Sequence, residues 1–238
     1  MLIAVQFLTR LPVRLPGEID ASLISRSLLF YPLVGALLGA LLAALGLLLG
    51  NAPAGVQAAL VLAAWVLITG ALHLDGLADS ADAWLGGHGD RERTLAIMKD
   101  PYSGPAGVVL LVLVLLGKFA ALEAVLPTGQ WLALLGVPLL ARAMVPVLFL
   151  TTPYVRPGGL GAALSEQGEF RAGLWLVVGL SLSLALLVQG FAALLAALAM
   201  FWLLRWLMLQ RLGGTTGDTA GAMIEIIETA ALLALALG

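Results

Sequence analysis

Seven long apolar runs decide what this chain can fold into. They cover roughly residues 28–50, 54–72, 106–126, 130–151, 172–190, 191–209 and 219–237. A transmembrane helix needs about 20 consecutive apolar residues, so each run is long enough to cross a bilayer. Because 61% of the residues are hydrophobic and only 11% are charged, the chain cannot cover a water-facing surface. The sequence therefore predicts an all-α integral membrane protein with about seven transmembrane helices, folded as a single polytopic domain over residues 1–238.

A shorter apolar segment precedes the first run. Residues 1–12 are too few for a secretory signal, and no charged region comes before them. We therefore expect this segment to belong to the mature protein as an additional short re-entrant or amphipathic helix, ended by Pro12, Pro16 and Gly17. The chain contains no cysteine, which excludes disulfides, thiolate metal sites and cysteine catalysis.

The basic residues indicate how the helices are oriented. Short uncharged connections alternate with longer polar ones, so seven spans place nine of the twelve lysines and arginines on one face. The positive-inside rule assigns such a face to the cytoplasm. The loops 73–105, 152–171 and 205–219 also open on this face. We expect a multi-pass protein of the cell (inner) membrane whose functional loops face the cytoplasm.

The stretch 73–105 holds six of the fourteen acidic residues and both histidines. Asp75, Asp79 and Asp82 are spaced i, i+4 and i+7, so they share one face of a helix. Three carboxylates on one stripe repel each other, and oxygen ligands suit Mg²⁺, Mn²⁺ or Ca²⁺. The alternative is a solvated acidic face near a helix start. Because the stripe continues from an apolar span, the pattern favours three metal ligands.

Other residues of the same stretch are further candidates. Gly76 lets a ligand or a second helix approach the backbone, and His73 is a candidate phosphate donor. Three basic residues follow the aspartates and either hold phosphate oxygens or are ordinary charges at the membrane surface: Arg91, Arg93 and Lys99.

A second polar segment precedes the last apolar run. Its sequence Gly213-Gly214-Thr215-Thr216-Gly217 is rich in backbone donors and hydroxyl groups, and it leads into a helix whose N-terminus favours anions. Gly214, Thr215 and Thr216 are therefore candidate ligands of a phosphate or a ribose. The loop 152–171 is rich in glycine and proline, which argues against a regular helix and is typical of a substrate loop or of a plain connection.

Charged residues also occur inside the predicted spans. Asp218, Glu225 and Glu228 lie on a common face of the last helix. The two glutamates form a second wall of the cation site, or are protonated acids in a cavity, or are ion-paired with Lys118, Arg142 or Arg205. Two roles are open for Lys118 and Arg142. They either have a packing role, in which Lys118 pairs with Glu123 or a carbonyl group, or they line a cavity that takes up phosphate.

Together these features favour metal-assisted phosphoryl or nucleotidyl chemistry. The net charge of −2 gives no sign of a nucleic-acid partner. A transporter that relays ions or protons through buried carboxylates is the competing class, although no inverted repeat is visible. A third hypothesis is a passive scaffold for other enzymes, which predicts that the protein catalyses no reaction itself.

Segments distributed over the whole chain resemble the cobalamin synthase family, the adenosylcobinamide-GDP ribazoletransferases. The matching segments are Phe7-Leu8-Thr9-Arg10-Leu11-Pro12, Tyr31-Pro32-Leu33-Val34-Gly35, His73-Leu74-Asp75-Gly76-Leu77-Ala78-Asp79, Met98-Lys99-Asp100 with Gly104 and Gly107, Ala141-Arg142, and Gly213-Gly214-Thr215-Thr216-Gly217-Asp218 with Glu225 and Glu228. No single segment is specific, but the combination is.

The resemblance implies a Mg²⁺-dependent membrane enzyme that joins adenosylcobinamide-GDP to α-ribazole, or to its 5′-phosphate, and releases GMP. The expected product is adenosylcobalamin or its 5′-phosphate. Asp75, Asp79 and Asp82 would hold the metal, and Asp90, Asp100 or a glutamate of the last span would take the hydroxyl proton. Three basic residues would hold phosphates: Arg10, Lys99 and Arg142. Membrane lipid, other late cobalamin-pathway enzymes and a second copy of the chain are the expected partners.

Overall fold

A computed structural model describes residues 1–14, 20–156, 160–166 and 170–238, and its regular secondary structure is entirely helical. Two 3₁₀ turns, Leu28–Phe30 and Leu126–Thr128, extend the helices next to them, and one isolated bridge pairs Tyr154 with Thr215. The predicted all-α class is confirmed. The α-helices are α1 Leu2–Leu8, α2 Ala21–Ser27, α3 Tyr31–Leu48, α4 Ala54–Thr69, α5 Leu72–Gly86, α6 Arg91–Ile97, α7 Pro105–Val125, α8 Trp131–Thr151, α9 Leu160–Leu164, α10 Arg171–Gln189, α11 Phe191–Leu212 and α12 Gly217–Leu237.

Six helical segments of the described residues are long and apolar enough to cross a membrane, which confirms a multi-pass protein. They are Ala21–Leu48, Pro105–Thr128, Trp131–Thr151, Arg171–Gln189, Phe191–Leu212 and Gly217–Leu237. Large leucine and tryptophan side chains remain exposed on the outside of the bundle, including Leu113, Leu180 and Trp206. An apolar exterior is expected where the surrounding solvent is lipid.

The predicted span 54–72 differs from the other six. Its helix α4 has 16 residues and ends at Thr69, where Gly70 and Ala71 both adopt the left-handed conformation. These two residues turn the chain by 86° into α5. A helix of 16 residues is about 24 Å long, which is shorter than the roughly 30 Å hydrocarbon core. The predicted run 54–72 is therefore not one continuous helix, and the bent pair of α4 and α5 taken together would make the seventh of the predicted spans. The polar residues of α5 lie beyond the bend.

The centre of the bundle is α8, which is buried along most of its length. It packs against α3, α10 and α12. The last helix α12 also contacts α5, α7 and α11, so it joins the central helix to the polar segment that follows the bend. This arrangement places the start of α12 beside the aspartates of α5.

The segments between the spans depart from the sequence predictions in one place. The expected short N-terminal helix is present as Leu2–Leu8, whereas its predicted breakers Pro16 and Gly17 lie outside the described residues. In the loop 152–171 the prediction of no regular helix is wrong, because Leu160–Leu164 form one helical turn. Residues 157–159 and 167–169 of that loop lie outside the described residues.

Candidate active site

A glycine lets the two helices of the candidate site meet. A Cβ atom on Gly76 of α5 would lie 2.7 Å from the backbone oxygen of Asp218 and 3.0 Å from its Cα atom. Any side chain at residue 76 would push α5 away from α12. The glycine therefore permits the approach of a second helix, one of the two roles expected of it, and brings Asp75 and Asp79 to the same pocket as Asp218.

This acidic pocket has a volume of about 550 Å³ and lies at the polar end of α5 and α12. Its carboxylates and basic groups share one opening, with Asp75 exposed and Asp79 half-buried. Partial burial and the neighbouring carboxylates of Asp75 and Asp218 raise the pKa of Asp79 to about 6. Four acidic groups thus face two basic ones. The lining residues are Asp75, Asp79, Met98, Lys99, Asp100, Pro101, Arg156 and Asp218.

Arg156 is a site residue that the sequence predictions did not select. Its Nη1 atom donates a 2.8 Å hydrogen bond to Asp218 Oδ2, and its Nη2 atom donates to the backbone oxygen of Met98 at 3.2 Å. It therefore links the loop after α8, the start of α12 and the end of α6. One sign of its importance was present in the sequence, because Arg156 is the single basic residue in the segment 152–170.

Backbone pairing fixes the segment that carries Arg156. The amide of Thr215 donates to Pro153 O at 2.8 Å, and the amide of Val155 donates to Thr215 O at 3.0 Å. Gly214 permits this pairing, because a Cβ atom there would lie only 2.2 Å from Pro153 O. The glycine that the sequence suggested as a phosphate ligand therefore has a packing role in this structure.

The two threonines of the same segment are also engaged. Thr216 is the N-cap of α12: its Oγ1 accepts from the amide of Thr219 at 3.2 Å, and Thr219 Oγ1 accepts from the amide of Thr216 at 2.9 Å. Thr215 Oγ1 lies 2.9 Å from Thr219 Oγ1. Thr215 and Thr216 are fully buried in this structure, so their hydroxyl groups are not open to a ligand, and their role as substrate ligands stays a prediction. They shape the start of the helix that presents Asp218.

The third aspartate of the predicted triad does not face the acidic pocket. Asp82 Oδ2 accepts the amide of Gly104 at 2.6 Å, and Oδ1 accepts the amide of Gly107 at 2.9 Å. Both oxygens thus bind backbone donors at the start of α7, where a carboxylate also complements the helix dipole. Among the described residues no three acidic or histidine side chains are arranged to hold a metal ion. In this structure both oxygens of Asp82 are engaged by backbone amides, and its assignment as a metal ligand stays a prediction.

The two other predicted acids have different surroundings. Asp90 is exposed and caps α6, because its Oδ1 accepts the amide of Arg93 at 2.7 Å. Asp100 lines the acidic pocket next to Lys99 and accepts the amide of Tyr102 at 3.1 Å. Asp100 and Lys99 are therefore placed where their predicted roles require, whereas Asp90 is occupied as a helix cap.

Arg10 lies at the bend between α4 and α5 and does not line the acidic pocket. Its amide donates to Ile68 O at 2.8 Å, and its side chain passes close to Gly70. The side chain is exposed. Its predicted contact with a substrate phosphate stays a prediction.

A second charged cluster lies inside the bundle. Lys118 Nζ donates to Glu225 Oε2 and to Glu228 Oε2, both at 2.6 Å, and Arg142 Nη1 donates to Glu228 Oε1. These side chains are at most 4% exposed. His73 is also buried, with Nδ1 4.0 Å from Glu225 Oε1 and without a hydrogen bond to any described residue. We call this set the buried ion network.

The buried ion network bears on several sequence predictions. The alternative role of Glu225 and Glu228 as ion-pair partners is the one the structure shows, and Lys118 pairs with them rather than with Glu123. Arg142 is fully buried, and His73 is nearly so. In this arrangement none of the five side chains that form the network is open to a phosphate or a substrate hydroxyl.

The acidic pocket can bind a divalent cation together with phosphate. Neither the Asp75 nor the Asp79 carboxylate accepts a hydrogen bond from a described residue, so both are free to act as ligands. Mg²⁺ is usually bound by one or two carboxylates and takes its remaining ligands from water and substrate phosphates. Two free carboxylates beside Lys99 and Arg156 fit that donor set.

Comparison with known proteins points to one family. The model of the cobalamin-5-phosphate synthase family matches residues 1–236. An adenosylcobinamide-GDP ribazoletransferase of Pseudomonas fluorescens (strain Pf0-1) is 58% identical over 238 residues, covering 99% of this chain and 98% of the relative. The enzyme of the same name from Pseudomonas putida (strain GB-1) is 59% identical over 237 residues, covering 100% of this chain and 98% of the relative. No solved structure matches.

Proposed function

Because this chain belongs to the cobalamin-5-phosphate synthase family, we propose that it transfers the adenosylcobinamide-phosphate group of adenosylcobinamide-GDP to α-ribazole, or to its 5′-phosphate, and releases GMP. The observation that supports this reaction is the acidic pocket. It combines free carboxylates for a cation with Lys99 and Arg156 for a diphosphate, which is the combination that phosphoryl transfer requires.

The reaction is a displacement at phosphorus. A ribose hydroxyl of the acceptor forms the new P–O bond at the phosphorus that carries the corrinoid arm. The bond from that phosphorus to the bridging oxygen of the diphosphate breaks, and GMP leaves with the electron pair. We assign the hydroxyl proton to Asp100, which lines the acidic pocket, whereas Asp90 caps a helix and the glutamates of the last span are paired.

Asp75 and Asp79 would hold Mg²⁺. Bound there, the cation would offset the negative charge of the diphosphate and of the departing phosphate. Lys99 and Arg156 would bind the phosphate oxygens, for which Arg156 must exchange its hydrogen bond to Asp218 for one to the substrate. Asp218 would then be left beside the cation site.

The acidic pocket would face the cytoplasm of the cell (inner) membrane. The basic residues of the sequence support this orientation through the positive-inside rule, and soluble corrinoid and nucleoside substrates would reach the pocket from that side. A transporter is not favoured, because the buried carboxylates it would use are ion-paired to Lys118 and Arg142.

Purified protein in lipid nanodiscs, incubated with adenosylcobinamide-GDP and α-ribazole, should release GMP and form adenosylcobalamin in equal amounts. Removal of divalent cations with EDTA should stop the reaction, and added Mg²⁺ should restore it. Absence of GMP release with Mg²⁺ present would refute the proposed activity. Full turnover in EDTA would refute only the metal dependence.

A further inference from the structure

An apolar groove lies behind the acidic pocket. It has a volume of about 890 Å³ and is formed by α5, α7, α11 and α12. Its walls are almost entirely carbon, and they include Leu77, Leu110, Met208 and Ile226. A cavity of this size is large enough to enclose a nucleoside or a lipid chain.

The groove exists because small side chains line it. Ser80 and Ala81 of α5, Ala106 of α7 and Ala222 of α12 leave the space that larger residues would fill. At the rim, Val109 is 58% exposed on the outer surface of α7. The groove is therefore open at the side of the bundle.

The groove and the acidic pocket lie back to back on the same elements. In α5, Asp79 lines the pocket and the next residue, Ser80, lines the groove; in α12, Asp218 lines the pocket and Thr219 the groove. Pro101, in the connection after α6, lines the pocket, and Pro105, the first residue of α7, lines the groove. The groove and the acidic pocket are thus separated only by these shared elements.

One polar group in the groove has no partner. Ser80 is 8% exposed, and its hydroxyl makes no hydrogen bond with any described residue. A buried hydroxyl without a partner is costly, so a ligand that accepts a hydrogen bond there would be favoured. An acyl chain offers no acceptor, whereas a nitrogen heterocycle does. Trp84, whose ring centroid lies 5.8 Å from Cζ of Arg211, also lines the groove and adds aromatic surface to it.

We propose that the apolar groove binds the heteroaromatic base of the acceptor nucleoside, a substituted benzimidazole, and directs its ribose toward the acidic pocket. This inference rests on the proposed transferase function. The free ring nitrogen of the base accepts a hydrogen bond from Ser80, and its hydrocarbon rim contacts the leucine side chains. The groove thereby selects an apolar bicyclic base, while the acidic pocket handles the diphosphate.

Two neighbouring valines give a matched test. Val109 lines the groove and Val108 does not, although both are exposed on α7, at 58% and 52%. With the protein in nanodiscs, Val109→Phe should weaken equilibrium binding of radiolabelled α-ribazole and raise its KM by about tenfold. The KM for adenosylcobinamide-GDP should not change. Val108→Phe should match the wild type in both measurements.

Ser80→Ala tests the polar contact. It should raise the KM for α-ribazole severalfold, but not the KM for the indole riboside analogue, in which carbon replaces the accepting nitrogen. A merely structural role of Ser80 would affect both nucleosides equally. Equal α-ribazole affinity in the Val109→Phe and Val108→Phe proteins would overturn the proposal.

Other outcomes are also decisive. If Val109→Phe reduces only the phospholipid that copurifies with the protein, the groove is a lipid site and the proposal is wrong. If the wild type releases GMP normally but Val109→Phe and Val108→Phe bind α-ribazole equally, the proposed transferase function holds and the proposed base site is wrong. If the wild type neither binds α-ribazole nor releases GMP, both proposals fail together.

Discussion

The last helix carries acidic residues in two regions that behave differently. At its start, Asp218 is about one-fifth exposed, pairs with Arg156 and faces a pocket. Two turns deeper, Glu225 and Glu228 are buried and pair with Lys118 and Arg142. The deep set is balanced, with two carboxylates and two cations, as the low dielectric of the membrane interior demands. The carboxylates at the polar end outnumber their basic partners, so they retain capacity for a ligand.

The largest expected effect comes from breaking the balance in the buried ion network. Lys118→Met leaves two carboxylates with one cation, and an uncompensated buried charge costs about 3–5 kcal/mol. The variant should show a much lower unfolding temperature in detergent. Adding Glu225→Gln removes one of the two carboxylates and should recover a large part of the loss. A Lys118→Met protein as stable as the wild type would show that the network is not structural.

Next is the acidic pocket, where a change should affect activity and leave stability intact. Asp79→Asn removes a free carboxylate, and losing one such electrostatic contact should lower kcat/KM for GMP release by about 10²–10³-fold. Because the side chain is half-buried and makes no hydrogen bond to a described residue, the unfolding temperature should stay near that of the wild type. Normal turnover in this variant would show that Asp79 is not a ligand of the proposed cation.

The same substitution one turn away should have a smaller effect. Asp82→Asn keeps a carbonyl oxygen that still accepts from Gly104 or Gly107, so we expect less than a tenfold fall in kcat/KM and a loss of about 1 kcal/mol in stability. The comparison with Asp79→Asn at saturating Mg²⁺ separates a helix cap from a metal ligand. If kcat/KM falls as far as in Asp79→Asn, Asp82 is a ligand of the cation.

The smallest effect is expected at Asp90. Asparagine is as good an N-cap as aspartate, so Asp90→Asn should keep α6 intact and leave GMP release within about twofold of the wild type. Asp100→Asn, measured beside it, should lose most of its activity if Asp100 takes the hydroxyl proton. Equal activity of the two variants would exclude Asp100 as the base.

The sequence predicted the class of the fold because hydrophobic runs of about 20 residues have few structures available in a bilayer. It also predicted the family, since the motifs extend over the whole chain. It did not predict the bend after Thr69, because a glycine such as Gly70 ends some helices but is also common inside transmembrane ones, and an alanine gives no signal that it will turn left-handed. For the same reason α4 looked like an ordinary span.

Among the charged residues, the sequence by itself identified the right types and placed Asp75, Asp79, Lys99, Asp100 and Asp218 among the candidates. Only the tertiary structure decided which of them share the pocket. Spacing along one helix describes which residues lie on a face, but it does not describe what the facing helix presents to them. The amides of α7 occupy Asp82, the cations of α7 and α8 pair with the deep glutamates, and the bridge to Thr215 brings in Arg156. Partners distant in sequence determined each of these outcomes.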